Sequence, residues 1–325
     1  MRVLKACMQK LLKTALALAL TVAASSVAAE PIDVTSDPIP LNRENTDADK
    51  VGPFKYLGGV NLTSTDRRFG GFSGLGISAD GRRIVSVSDQ GAFLSADIKY
   101  APDGKLIGIE NADLGGLSDL DGTPLAGKRF SDAESMSPGV EGEIIISFER
   151  AHRIWRYDPG VTPPRMLRPP AELEGLRSNA GIEALTLLND GRLLAISEGD
   201  TYEDQAIAWV SRPDGWDVMT YRTHDGFRPT GAATLPGGDV LVLERYFTVR
   251  EGVRIRIRRL PAGMVEAGAT LDARLLVDLA PPLSIDNFEG IEVRADGDRA
   301  IIYLISDDNF NMLQRTLFLM FAYEG

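Results

Sequence analysis

The sequence predicts an all-β fold, a β-propeller of four-stranded antiparallel blades, and three observations carry the prediction. Thirty-three glycines and 18 prolines in 325 residues imply frequent chain reversals. One pattern, an apolar strand, a glycine-containing turn, a strand rich in Ile, Val and Leu and then an acid, recurs five times. Several of those turns carry Asp-Gly, the strongest short-range hairpin signal.

Residues 1–29 stand apart from this pattern. Arg2, Lys5, Lys10 and Lys13 precede an apolar run from Ala15 to Ala24, and Val27-Ala28-Ala29 ends the stretch before Glu30. That order is expected of a secretory signal peptide, too short in its apolar part for the ~20 residues of a membrane span. Cys7 is the only cysteine and precedes the apolar run, so the mature chain is expected to have no thiol and to be periplasmic or secreted. Residues 30–50 read as an N-terminal linker and 51–325 as the propeller domain.

The formal charge is −11, and without the four basic residues of the leader it becomes −15. A chain so acidic and free of cysteine is not a disulfide scaffold, a CxxC zinc module or a cysteine hydrolase, and it offers no basic face for nucleic acid.

The five repeats run over Phe72–Gly91, Asp132–Arg150, Asn179–Asp200, Arg228–Phe247 and Asn287–Asn311. Their turns include Asp80-Gly81, Asp190-Gly191 and Asp296-Gly297. With Gly74, Glu134, Glu183, Gly231 and Glu289 as equivalent points, successive spacings are 60, 49, 48 and 58 residues, the length of a propeller blade. The residues outside these repeats are long for one blade and short for two. The strand-like runs Phe54–Leu62 and Thr316–Tyr323 are expected to pair and close the ring. Six blades are preferred on this count, with five as the alternative.

Acids recur on this frame. Glu134 and Glu149 are 15 residues apart, as are Glu183 and Glu198, so a hairpin returns each pair to one end of its blade. Asp89, Glu244, Glu289 and Asp307 are read as their counterparts. If the first strand of every blade lines the central channel, these ends converge on one mouth as a ring of carboxylates. Crowded carboxylates repel unless a cation sits among them, and Ca²⁺ is the expected cation in an exported protein. Asp89, Glu134, Glu183, Glu289 and Asp307 are the candidate metal ligands, and Glu149, Glu198 and Glu244 are the candidate catalytic carboxylates. Arg150, Arg228 and Arg245 recur at the same mouth, where a guanidinium fork suits a phosphate or carboxylate.

Other chemistries find little support. Gly71-Phe72-Ser73-Gly74-Leu75 lacks the last glycine of a GxSxG elbow. His152 and His224, the only histidines, read as surface or packing residues, and Trp155, Trp209 and Trp216 as packing between blades.

The ordered series FSGL…SDQG, DAES…SFER, GIEAL…SEGD, RPTGA…LER and NFEGI…SDDN resembles the bacterial phytase-like family, described by an esterase-like activity of phytase. The resemblance covers about Phe54 to Tyr323. It implies an exported propeller that hydrolyses phosphate esters with calcium. The partner expected is therefore a small phosphate ester or another anionic ligand, bound by a monomer. The alternative is a non-catalytic propeller that holds a small anionic ligand, a glycan or an envelope protein at the same mouth.

Overall fold

The computed structural model describes residues 26–158, 163–199 and 204–325; the leader expected over 1–29 lies outside the described residues as far as 25. Five antiparallel sheets form a ring, so the blade count is five. Blade 1 runs outward through Phe72–Ile77, Arg83–Ser88, Ala92–Tyr100 and Leu106–Leu117. Blade 2 uses Ala133–Pro138, Ile144–Phe148, Arg153–Tyr157 and Arg165–Leu167. Blade 3 uses Ile182–Leu187, Leu193–Ser197, Gln205–Arg212 and Gly215–Arg222, and blade 4 Arg228–Thr234, Val240–Thr248, Gly252–Leu260 and Arg274–Leu279.

Blade 5 joins the two ends of the chain. Phe288–Asp296, Arg299–Ser306 and Thr316–Tyr323 come from the C-terminal end, and Phe54–Thr63 from the N-terminal side pairs with Thr316–Tyr323. Closure by one shared blade is what the sequence predicts. The count is five rather than six because the extra N-terminal residues widen existing sheets. Thr35–Pro38 and Lys50–Val51 pair with Phe54–Thr63, and Ser26–Ile32 pairs with Leu106–Leu117. The segment 30–50 is therefore not a free linker. Leu41 is 3% exposed and belongs to a core cluster, which is why this segment docks.

Every core cluster lies between two blades. Leu241, Ile255, Ile302 and Leu317 pack blade 4 on blade 5, and Leu75, Ile84, Ile305 and Phe318 pack blade 5 on blade 1. Val87, Phe93, Ile146 and Trp155 join blades 1 and 2, while Ile145, Leu185, Ala195 and Trp209 join blades 2 and 3. Ala208, Tyr221, Val242 and Leu260 join blades 3 and 4. The blades are face-packed sheets, and the sheet-period alternation of the sequence supplies both faces.

The first strand of each blade faces the centre and neighbours the first strands on either side. Hydroxyls bridge these unpaired inner edges: Ser147 donates to the Ile182 carbonyl and Thr230 to the Phe288 carbonyl, and Ser135 and Ser137 accept from the Leu185 and Leu187 amides. Edge carbonyls and amides that would otherwise be stranded are thus satisfied. At Gly231 an added Cβ would lie 2.6 Å from the Glu289 carbonyl oxygen, because the neighbouring inner strand passes that close. Gly231→Ala should force blades 4 and 5 apart and lower stability by about 2–4 kcal/mol. Urea denaturation checks this; an unchanged midpoint would contradict it.

Candidate functional site

All five inner strands carry a β-bulge at one equivalent place. Pairing shifts between Phe72 and Gly74, opposite Ala133 and Ser135, between Ile182 and Ala184, between Pro229 and Gly231, and between Phe288 and Gly290. The unpaired extra residue is therefore Ser73, Glu134, Glu183, Thr230 or Glu289. A bulge re-aims one side chain out of the alternating pattern. Three glutamates are delivered in this way to the channel from blades 2, 3 and 5, while blades 1 and 4 deliver hydroxyls.

The second strand of each blade ends beside its bulge. Asp89, Glu149, Glu198 and Asp307 each donate a backbone N–H to the carbonyl two residues before the bulge, at Gly71, Asp132, Gly181 and Asn287. In blade 4 the register pairs Pro229 with Glu244 and Arg228 with Arg245, so Arg245 holds the place that acids hold elsewhere. Glu244 is thereby corrected as a site residue. It is fully buried, accepting from the Tyr221 hydroxyl at 2.8 Å and from Arg258 Nε at 3.0 Å between blades 3 and 4. One residue of displacement along a strand exchanges the two faces, and Glu244-Arg245 reads as an acid followed by a base only in sequence.

The remaining acids form one electrostatic cluster. Burial first, then the nearby Glu183, Asp132 and Glu289, push the Glu134 carboxyl well above the usual range. Glu183 is raised by burial and by Glu198, Glu289 and Glu149, with Arg245 opposing. Glu289 is raised by burial against the pull of Arg245 and a hydrogen bond from Asn287. Burial pushes Glu149 up to about 7 and Asp307 up to about 8, and it raises Asp89 despite Lys128. Asp89, Glu134, Glu149, Glu183, Glu198, Glu289 and Asp307 are thus brought together.

Asp132 also belongs to the cluster, and sequence reasoning passed over it. It is fully buried, held by Lys128 and Arg150, and one of its oxygens lies within 4.8 Å of oxygens of Glu134 and Glu149. Its signal was its place two residues before Glu134, matched by Asn287 two residues before Glu289. Lys128 spans to Asp89 at 2.6 Å. Arg228 donates to Glu198 at 2.7 Å. Arg245 donates to Asn287 Oδ1 at 2.6 Å, and Asn287 in turn donates to Glu289 at 2.9 Å. Among the described residues the acids of this cluster outnumber the cations Lys128, Arg150, Arg228 and Arg245, an imbalance that sets carboxyl against carboxyl in a partly enclosed site.

These residues fit a hard cation. Asp89 Oδ1 is buried with no hydrogen-bond partner among the described residues. The Asp132, Glu134 and Glu149 oxygens are spaced as ligands about 2.3–2.6 Å from a shared Ca²⁺ are spaced. Glu183, Glu289, Asp89 and Asp307 line the same mouth without joining that tight triad. His152 donates to the Arg177 carbonyl and His224 pairs with Asp272, and no serine–histidine hydrogen bond occurs among the described residues.

The family model described as phytase-like, esterase-like activity of phytase, matches residues 67–310. No curated protein matches the chain. Among solved structures, a protein of unknown function from Dyadobacter fermentans is similar over 93% of this chain and 96% of its own, at 14% identity and a TM-score of 0.44. The PQQ-bound aldose sugar dehydrogenase of Streptomyces coelicolor is similar over 84% of this chain and 99% of its own, at 13% identity and a TM-score of 0.46. A virginiamycin B lyase from Staphylococcus aureus is similar over 88% and 99%, at 13% identity and a TM-score of 0.40. Likeness at that level says nothing about the chemistry at the channel mouth.

Proposed function

The chain belongs to the phytase-like family, and from that premise we propose that it is an exported, calcium-dependent phosphoesterase acting at the channel mouth. The observation that carries the reading is the bulge that recurs in every inner strand and sends Glu134, Glu183 and Glu289 into one cluster beside Asp132 and Glu149. A propeller held together by its blade interfaces has no structural need for buried like charges. Their shared repulsion is a standing cost that a bound divalent cation removes.

Asp132, Glu134 and Glu149 would hold the ion, with Glu183 and Glu289 from the next blades closing the site. When bound, Ca²⁺ supplies positive charge against a phosphoryl oxygen and makes a nearby water a better nucleophile. Arg245 has no carboxylate within ion-pair distance among the described residues, and its guanidinium fork is the group that orients the phosphate. A cluster carboxylate outside the ion's coordination accepts a proton from the attacking water. The new P–O bond forms to the water oxygen as the bond to the ester oxygen breaks, and the departing alcohol takes up a proton from the same cluster. Arg150 and Arg228, already engaged by Asp132 and Glu198, hold those acids in place.

Purified protein with Ca²⁺ should hydrolyse phosphomonoesters and lose that activity to a calcium chelator, with recovery on adding the ion back. Metal binding without turnover on a broad panel of esters would favour the non-catalytic ligand-binding reading. Export has its own check: mass spectrometry of the exported chain should find Glu30 at the N-terminus, a cut that leaves Glu30–Ile32 paired with blade 1.

A further inference from the structure

A cavity of about 990 Å³ opens beside the cluster, between blades 4 and 5. Arg245 and Asn287 belong to both: they line the cavity, and Asn287 bonds Glu289 on the cluster side. The rest of the wall is mixed: beside the polar Asp286, Asn309, Asn311 and Gln314 it carries an apolar set, Phe247, Val253, Ile285 and Leu313, of which Phe247 and Leu313 are 59% and 90% exposed, far more than packing residues would be. Arg43 enters from the segment that precedes the first blade. Among the described residues its side chain has no ion-pair or hydrogen-bond partner, whereas Arg315 in the same cavity is held by Asp286.

From this arrangement we infer the substrate class: a phosphate monoester whose alcohol has an apolar body and a second anionic group at its far end. The inference rests on the phosphoesterase reading and deepens it. A phosphate held at Arg245 leaves its ester oxygen facing the adjoining cavity, because the cluster side is filled with carboxylates that repel it. The alcohol then covers Phe247 and Leu313, which gives those exposed apolar groups something to bury against. Arg43 supplies a cation at the cavity's edge that has no ion-pair partner among the described residues, and an anionic terminus on the substrate answers it.

Kinetics on the full chain with Ca²⁺ test this, using three alkyl esters of similar leaving-group basicity: 5-carboxypentyl phosphate, hexyl phosphate and glycerol phosphate. KM should fall about tenfold from glycerol to hexyl phosphate and further for the carboxypentyl ester. Arg43→Ala should reduce the preference for carboxypentyl over hexyl phosphate by about fivefold, and Phe247→Ser should reduce the preference for both over glycerol phosphate. Equal KM values for the three, or variants that shift all three alike, would overturn the inference. If no ester is turned over, the catalytic reading fails by itself. Calorimetry with 6-phosphonohexanoate and hexylphosphonate then reads the cavity directly: tighter binding of the carboxylate-bearing probe, lost in Arg43→Ala, upholds it, and absent or indifferent binding overturns it.

Discussion

Raising the pH from 5 to 8.5 in the presence of a chelator is expected to lower the melting temperature by about 5–10 °C, and saturating Ca²⁺ is expected to abolish most of that fall. The sign follows from the direction of the carboxyl shifts. In the unfolded chain aspartate and glutamate lose their protons near pH 4. In the folded chain Glu149 holds its proton to about 7 and Asp307 to about 8, and Glu134, Glu183 and Glu289 are displaced in the same direction. Between those limits the folded state binds more protons than the unfolded state, so stability declines as pH rises. For Glu149 alone the displacement from 4.5 to about 7 corresponds to about 3 kcal/mol.

Calcium bound as proposed would reverse the demand. A bound ion favours the ionised cluster, so its affinity rises over the same pH range in which the metal-free protein weakens. Glu292 gives an internal reference. Burial pushes it up to about 8 as well, but it lies beyond Glu289 on the inner strand and lines a separate cavity with Ile77 and Pro138. The slope it contributes should persist in calcium. Differential scanning calorimetry across pH, with and without the ion, separates the two. A metal-free melting temperature that stays level or rises from pH 5 to 8.5 would remove the basis for a strained cluster.

The repeat, the closure by chain ends and the inward-facing first strands were legible because each rests on local signals: alternation, turn chemistry and spacing. Glu134, Glu183 and Glu289 were legible for the same reason, as they fall at matched places in three repeats. Register was not. A β-bulge displaces a residue by one position without leaving a composition signal, so Glu244 and Arg245 could not be assigned to opposite faces from sequence, and the acid ring gained a member that belongs to a blade interface. Asp132 escaped for a related reason. It precedes its strand, and its burial depends on Lys128 and Arg150, which reach it from other elements. The blade count failed to resolve because Thr35–Pro38 and Ser26–Ile32 have edges to pair with only once the ring exists.

Replacing Glu134 and Glu183 together by glutamine should separate metal chemistry from folding. The amides keep the volume and hydrogen-bonding capacity of the carboxyls but carry no charge and bind Ca²⁺ weakly. Phosphomonoester hydrolysis should fall at least about 100-fold, the loss expected when charge stabilisation of the transition state is removed. The calcium-dependent rise in melting temperature should vanish with it. In chelator at pH 8 the double variant should melt above the parent, because two carboxyls whose burial among like groups opposes their ionisation have been replaced by neutral amides. Glu244→Gln supplies the opposite pattern. Removing its charge leaves Arg258 buried without its carboxylate partner, a change worth about 3 kcal/mol of stability, while the calcium-dependent shift should persist because Glu244 faces a blade interface and not the mouth. If Glu244→Gln lost the calcium response and the Glu134→Gln, Glu183→Gln protein kept it, the ion would have to sit elsewhere and the bulged glutamates would be without a catalytic role.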